Sequence, residues 1–206
     1  MDEAEFTRVK MCGLRRMEDI EAANPLQPDY VGFVFAPASK RYITPETAKL
    51  LRAELAPGIQ AVGVFVDEAP ETVARLLESG VIDIAQLHGH EDEAYISALR
   101  KMTGRPLIRA FRIRSGEDAL TAQRSSAEHI LLDAGAGDGK TFDWSLLSSV
   151  TRPYFLAGGL TPENAGEATE RLHPFALDVS SGIETDGWKD PAKMRAFVNN
   201  VRRKEV

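Results

Sequence analysis

Short apolar runs rich in β-branched residues recur along the chain at positions 8–12, 30–34, 61–66, 82–87, 107–113, 129–133, 154–157 and 175–179. Runs of this length, bounded by polar or glycine-containing stretches, read as buried strands. Between them lie segments with a polar start and apolar residues at three-to-four spacing, the pattern of helices with one buried face. Three of those starts are explicit: Thr44-Pro45-Glu46, Pro70-Glu71-Thr72 and Thr161-Pro162-Glu163. Each puts proline in the first turn, where its missing N–H has no partner to lose, and an acidic residue near the positive end of the helix dipole.

Strand followed by helix, eight times over, predicts an α/β protein with a parallel sheet, either a closed (β/α)8 TIM barrel or an open, doubly wound sheet. Periodicity alone leaves both open. Spread over 206 residues, each unit has about 26, which is lean beside the ~250 residues usual for the barrel. Residues 141–152, between the sixth and seventh strands, are too few for a long helix and make the weakest unit. No linker, low-complexity stretch or close repeat divides the chain, so residues 1–206 are expected to form one domain.

With 43% apolar and 27% charged residues, the chain can bury an ordinary globular core, which argues against disorder. A net charge of −6 offers no broad basic face, so nucleic acid is not an expected partner. No window approaches the ~20 consecutive apolar residues of a membrane helix. The start MDEAEFTRVK lacks the apolar core of a secretory signal, and a cytoplasmic protein without a membrane partner is expected. The one cysteine, Cys12, can form neither an internal disulfide nor a multi-thiolate zinc site; it is a buried filler or a reactive thiol.

Both candidate folds bind ligands at the carboxyl ends of their strands, and those ends are polar. Gly158-Gly159-Leu160 follows the seventh strand and leads directly into the helix start at Thr161, while Ser180-Ser181-Gly182 follows the eighth. Glycines let backbone N–H groups approach an anion and serine hydroxyls add donors, so Gly158, Gly159, Ser180, Ser181 and Gly182 are read together as a phosphate site. Cys12 ends the first strand with Lys10 on the same face, where an ammonium would favour the thiolate. Asp133 ends the sixth strand, three steps round a closed ring, and is either a second proton-transfer group or a cap on the next loop. Arg41 suits a carboxylate, Arg112 is a candidate for the barrel mouth, and Arg114 is placed outside it. Two motifs are set aside. The stretch from Ala134 to Thr141 imitates a nucleotide-binding loop but is followed too soon by another strand; a mobile lid fits better. His88-Gly89-His90-Glu91-Asp92 lacks the helical spacing of a zinc site, and no metal is expected.

Taken in order, Lys10-Met11-Cys12-Gly13-Leu14, Gly32-Phe33-Val34-Phe35, Ser39-Lys40-Arg41-Tyr42, Gln86-Leu87-His88-Gly89, Leu131-Leu132-Asp133, Leu156-Ala157-Gly158-Gly159-Leu160 and Asp178-Val179-Ser180-Ser181-Gly182-Ile183-Glu184 resemble the phosphoribosylanthranilate isomerases of tryptophan biosynthesis over nearly the whole chain. The resemblance implies a TIM barrel that carries out, without a cofactor, the Amadori rearrangement of a small-molecule phosphosugar-anthranilate substrate. By that resemblance Asp133 would be the general acid and Cys12 the general base. Lys10, Arg41, His88 and Asp178 would bind substrate, Arg41 by holding the anthranilate carboxylate. The protein would be a monomer or homodimer. Trp188 departs from the family, which often has a small or polar residue there. Two rival phosphosugar barrels fit less well: the histidine-pathway aminoaldose isomerase has an aspartate where Cys12 stands, and the lysine and glutamate set of indole-glycerol-phosphate synthase is not found. A barrel that only binds phosphorylated ligands would need neither proton-transfer residue.

Overall fold

In a computed structural model the described residues are 6–133 and 144–203. Eight parallel strands, β1 (Arg8–Cys12), β2 (Tyr30–Val34), β3 (Gln60–Phe65), β4 (Ile84–Leu87), β5 (Leu107–Arg112), β6 (His129–Asp133), β7 (Tyr154–Ala157) and β8 (Ala176–Val179), close on themselves in sequence order. The closing pair aligns Lys10 with Asp178 and Met11 with Val179. This register settles the choice between barrel and open sheet, which pattern alone could not make. Among the described residues seven of the eight helical positions carry an α-helix: α1 (Met17–Ala23), α2 (Pro45–Ala53), α3 (Pro70–Glu78), α4 (Glu93–Arg100), α5 (Gly116–Gln123), α6 (Pro162–Leu172) and, after β8, α7 (Pro191–Val201). Among the described residues between β6 and β7 there is only a 3-10 turn, Trp144–Leu147, as expected of so short a unit. The stretch read as a lid, residues 134–141, lies outside the described residues.

Strand alternation sorts the side chains into two cores. Outward positions such as Val9, Met11, Phe33, Phe65, Leu132 and Leu156 pack beneath the helices. Inward ones, among them Tyr30, Val62, Ile84, Ile108, Leu131 and Phe155, fill the barrel's lower half. Above them Cys12, Val34, Ala36 and Val64 form a small apolar collar at the mouth. Because β1 is buried on both faces, burial by itself does not separate an outward Met11 from an inward Lys10; both are fully buried.

The helix starts use the chemistry read from sequence. Thr44 accepts from the Thr47 N–H at 3.2 Å, and at α6 the Thr161 N–H donates to Asn164 Oδ1 at 2.8 Å. Each satisfies a first-turn donor or holds the entry to it, worth about 1 kcal/mol. For α6 the gain is also functional, since its start follows the Gly158-Gly159 turn. A short antiparallel hairpin, β9 (Glu184–Thr185) with β10 (Trp188–Lys189), stands between β8 and α7.

Candidate active site

A cavity of about 360 Å³ opens at the carboxyl ends of the strands, and Cys12, Arg41, Gln86, His88, Asp133, Gly158, Gly159, Asp178, Ser180 and Ser181 all line it. Strands β1, β4, β6 and β8 and the segments that follow β2, β4, β7 and β8 supply these residues, so only ring closure brings them together. Asp133 and His88 are also shared with an adjoining cavity of about 520 Å³ that Arg112 and Arg114 line. Arg112 is at the mouth as expected. Arg114, expected outside, lines the same lobe; two residues on from Arg112, it keeps that residue's side of the chain.

Lys10 does not reach the cavity. It is fully buried beneath it, its Nζ donating to Asp178 Oδ2 at 2.7 Å. Burial alone would lower the Lys10 pKa, but the adjacent Asp178 charge and hydrogen bond more than offset this and raise it above its ordinary value. The residue of this pair that lines the cavity is Asp178 and not Lys10. Asp178 Oδ1 and, across the barrel, Gln86 Oε1 are buried acceptors without a donor among the described residues.

The expected thiolate-favouring effect of Lys10 on Cys12 is corrected by the structure. Burial pushes the Cys12 thiol pKa up; Lys10 and Lys189 oppose that, Asp178 adds to it, and the net shift is upward. Lys10 cannot dominate, because Asp178 already neutralises it. Cys12 nonetheless lines the cavity. Ser180 lines the cavity with Ser181, and its hydroxyl donates to the Cys12 carbonyl at 3.0 Å, which ties β8 to β1. Gly158 and Gly159 have φ of 94° and 66°, a region glycine enters without strain. Gly182 is not lining; it lies so close to the Leu160 carbonyl that a β-carbon there would overlap it.

His88 and His90 part company. His88 Nδ1 is 2.8 Å from Gln86 Nε2, and its Nε2 lies 3.4 Å from Asp133 Oδ2. With the amide donating, Nδ1 is the acceptor and Nε2 carries the proton toward Asp133. His90 is exposed and pairs with Asp67 at 2.9 Å. Arg109, of the opposite strand parity to Arg112, braces the turn after β4 through the Gly89 carbonyl at 3.1 Å.

Sequence reasoning missed Glu184 and Lys189 as site residues. Glu184 takes Arg41 Nε at 2.6 Å and Nη2 at 2.7 Å, and Lys189 Nζ donates to the same carboxylate at 2.8 Å and to the Ser180 carbonyl at 2.9 Å. Glu184 carried a signal as the last residue of the motif after β8. Lys189 carried none, being one lysine in a short polar turn.

A closed parallel barrel with its titratable side chains and glycine turns gathered at the carboxyl ends of the strands places the molecule among the (β/α)8-barrel enzymes. Comparison with known proteins narrows the class. Residues 9–200 match the pattern of N-(5'phosphoribosyl)anthranilate (PRA) isomerase. An N-(5'-phosphoribosyl)anthranilate isomerase of Lachnoclostridium phytofermentans is 43% identical over 209 residues, covering 93% of this chain and 95% of the relative. The crystal structure of phosphoribosyl anthranilate isomerase from Thermotoga maritima superposes with a TM-score of 0.88 at 38% identity, over 96% of this chain and 99% of that one. A phosphoribosyl anthranilate isomerase in complex with reduced 1-(o-carboxyphenylamino)-1-deoxyribulose 5-phosphate matches with a TM-score of 0.86 at 37% identity, over 96% and 99%. The chain belongs to the N-(5'-phosphoribosyl)anthranilate isomerase family, whose enzymes carry out an aldose–ketose isomerisation.

Proposed function

We propose that this enzyme converts N-(5-phosphoribosyl)anthranilate to 1-(2-carboxyphenylamino)-1-deoxyribulose 5-phosphate in tryptophan biosynthesis, with Asp133 as general acid and Cys12 as general base. The observation that carries the reading is that the Cys12 sulfur side and the Asp133 carboxyl, from strands three apart in the ring, line one cavity with the Gly159 and Ser181 turns. Substrate phosphate sits at those turns, near the start of α6, where N–H groups and the helix dipole favour an anion. Arg41 takes the anthranilate carboxylate.

The chemistry is a pair of proton transfers. Asp133 gives its proton to the furanose ring oxygen as the C1–O bond breaks and the anilino nitrogen lone pair forms C1=N. As the Asp133 carboxylate develops, the His88 Nε2–H beside it stabilises the charge. Cys12 as thiolate, the form that Lys10 and Lys189 favour against burial, then takes the proton from C2 while the C1=N electron pair moves onto nitrogen; the resulting enolamine regains a proton at C1 from the Cys12 thiol as its C2 hydroxyl proton goes to the Asp133 carboxylate, which gives the ketone and restores both groups. Atoms and charge balance with no added reactant. Asp178 Oδ1 and Gln86 Oε1 suit the sugar hydroxyls, since a buried acceptor left without a donor costs about 1–3 kcal/mol.

The decisive measurement is the loss of anthranilate-type fluorescence when freshly made phosphoribosylanthranilate is added to purified enzyme. Wild-type protein should accelerate it well above the spontaneous background. Cys12→Ser and Asp133→Asn should each lower kcat by about 10²–10⁴ while affinity for the product stays within about tenfold. Near-wild-type kcat in the Cys12 variant would remove the assigned base.

A further inference from the structure

We infer that Glu184, steadied by Lys189, is the positioning residue that aims Arg41 at the carboxylate of the substrate's aromatic ring, and so sets selectivity for a carboxylated arylamine. The inference rests on the placement of that carboxylate at Arg41. Arg41 is reached by Glu184 side-on, through Nε and Nη2 at 2.6 and 2.7 Å, which leaves Nη1 outside the pair on a side chain that lines the cavity. A planar guanidinium gripped along one edge has its other edge fixed in direction, and a carboxylate read by two parallel bonds depends on that direction.

Three further contacts make the grip rigid. Lys189 Nζ, its side chain only 2% exposed, holds Glu184 Oε1 at 2.8 Å. Lys193 Nζ holds the Glu184 carbonyl at 2.7 Å. Arg15 donates to the Lys40 carbonyl at 2.7 Å, next to Arg41, while its guanidinium stacks 3.9 Å over Trp188 of the same hairpin. The stem of Arg41 crosses Gly13 so closely that a β-carbon there would collide with Arg41 Cδ, so its path is confined from beneath as well. Hairpin and loop are thus joined both through the Arg41 side chain and through its backbone.

Charge counting separates aim from attraction. Arg41 and Lys189 with Glu184 between them carry one net positive charge, which one substrate carboxylate neutralises. Removing the charge of Glu184 leaves two positive charges: if attraction governed recognition, a carboxylated ligand would bind Glu184→Gln more tightly. If aim governs, it binds more weakly.

The test measures dissociation constants of reduced 1-(o-carboxyphenylamino)-1-deoxyribulose 5-phosphate and of its counterpart lacking the ring carboxylate, on wild type, Glu184→Gln, Glu184→Asp and Arg41→Ala. The expected result is a preference for the carboxylated ligand that falls about tenfold or more in both Glu184 variants, with the KM for phosphoribosylanthranilate rising by more than kcat falls. Glu184→Asp keeps the charge but is one methylene too short for the paired contact, so loss there reports geometry. Retained binding of the carboxylate-free ligand certifies a folded site. An unchanged or increased preference in the Glu184 variants, with Arg41→Ala abolishing it, overturns the positioning role alone. A preference that survives Arg41→Ala overturns the placement of the carboxylate and the inference with it.

Discussion

Lys10 and Asp178 form a buried ion pair at the centre of the barrel, 2.7 Å apart with side chains 0% and 6% exposed. Two charges taken out of water are tolerated there only because each answers the other, so removing one should cost more than the pair itself contributes. Lys10→Met is expected to lower unfolding stability by about 3–5 kcal/mol, and adding Asp178→Leu should recover part of that. Urea unfolding of the single and double variants measures both; a single-variant loss below about 1 kcal/mol would mean the pair is not desolvated as described. At this scale residue type and strand parity were legible in the sequence: Cys12, Asp133, Arg41 and His88 all face the cavity. Which partner answers each charge was not. Parity put Lys10 beside Cys12, but a residue 168 positions away, Asp178, takes up its ammonium, and no local pattern encodes that.

The turns after the neighbouring strands β7 and β8 meet at the cavity, and the two glycines there do different work. Gly159 has a positive φ and open space around it, whereas Gly182 has the Leu160 carbonyl where a β-carbon would go. Gly159→Ala meets backbone strain of about 1 kcal/mol. Gly182→Ala must push the loop after β8 away from the loop after β7, which widens the cradle. Inhibition by inorganic phosphate should therefore weaken more in Gly182→Ala than in Gly159→Ala; the reverse order would place the anion away from the junction of these loops. Helix starts and strand existence were readable because caps, proline and periodicity act within a few residues. Strand limits shifted by one or two positions, as at β4, which begins at Ile84 rather than residue 82, because the ladder partner decides where pairing starts.

Across the whole molecule the hairpin after β8 is joined to Arg41 and to the Ser180 carbonyl, and its charges tie stability to pH. Burial alone would raise the Glu184 carboxyl, but hydrogen bonds from Arg41 and Lys189 hold it at about 2, below its ordinary 4.5. Between those values the unfolded chain binds a proton that the folded chain does not, so this stabilisation is whole above about 4.5 and is lost as pH falls toward 2. Wild type should be more stable than Glu184→Gln near neutral pH, and the gap in their urea midpoints should close as the solution is acidified through that window. A gap that stays constant would deny the coupling. Sequence by itself determined the alternation of strand and helix, the poverty of the unit after β6, and which residue types stand at strand ends, since periodicity and capping are local. Tertiary structure alone decided that the sheet closes, that Lys10 belongs to Asp178 and Ser180 to the Cys12 carbonyl, and that Glu184 and Lys189 reach Arg41. Those facts depend on which distant segments become neighbours, and ring closure brings together chain positions whose order along the sequence carries no record of their distance in space.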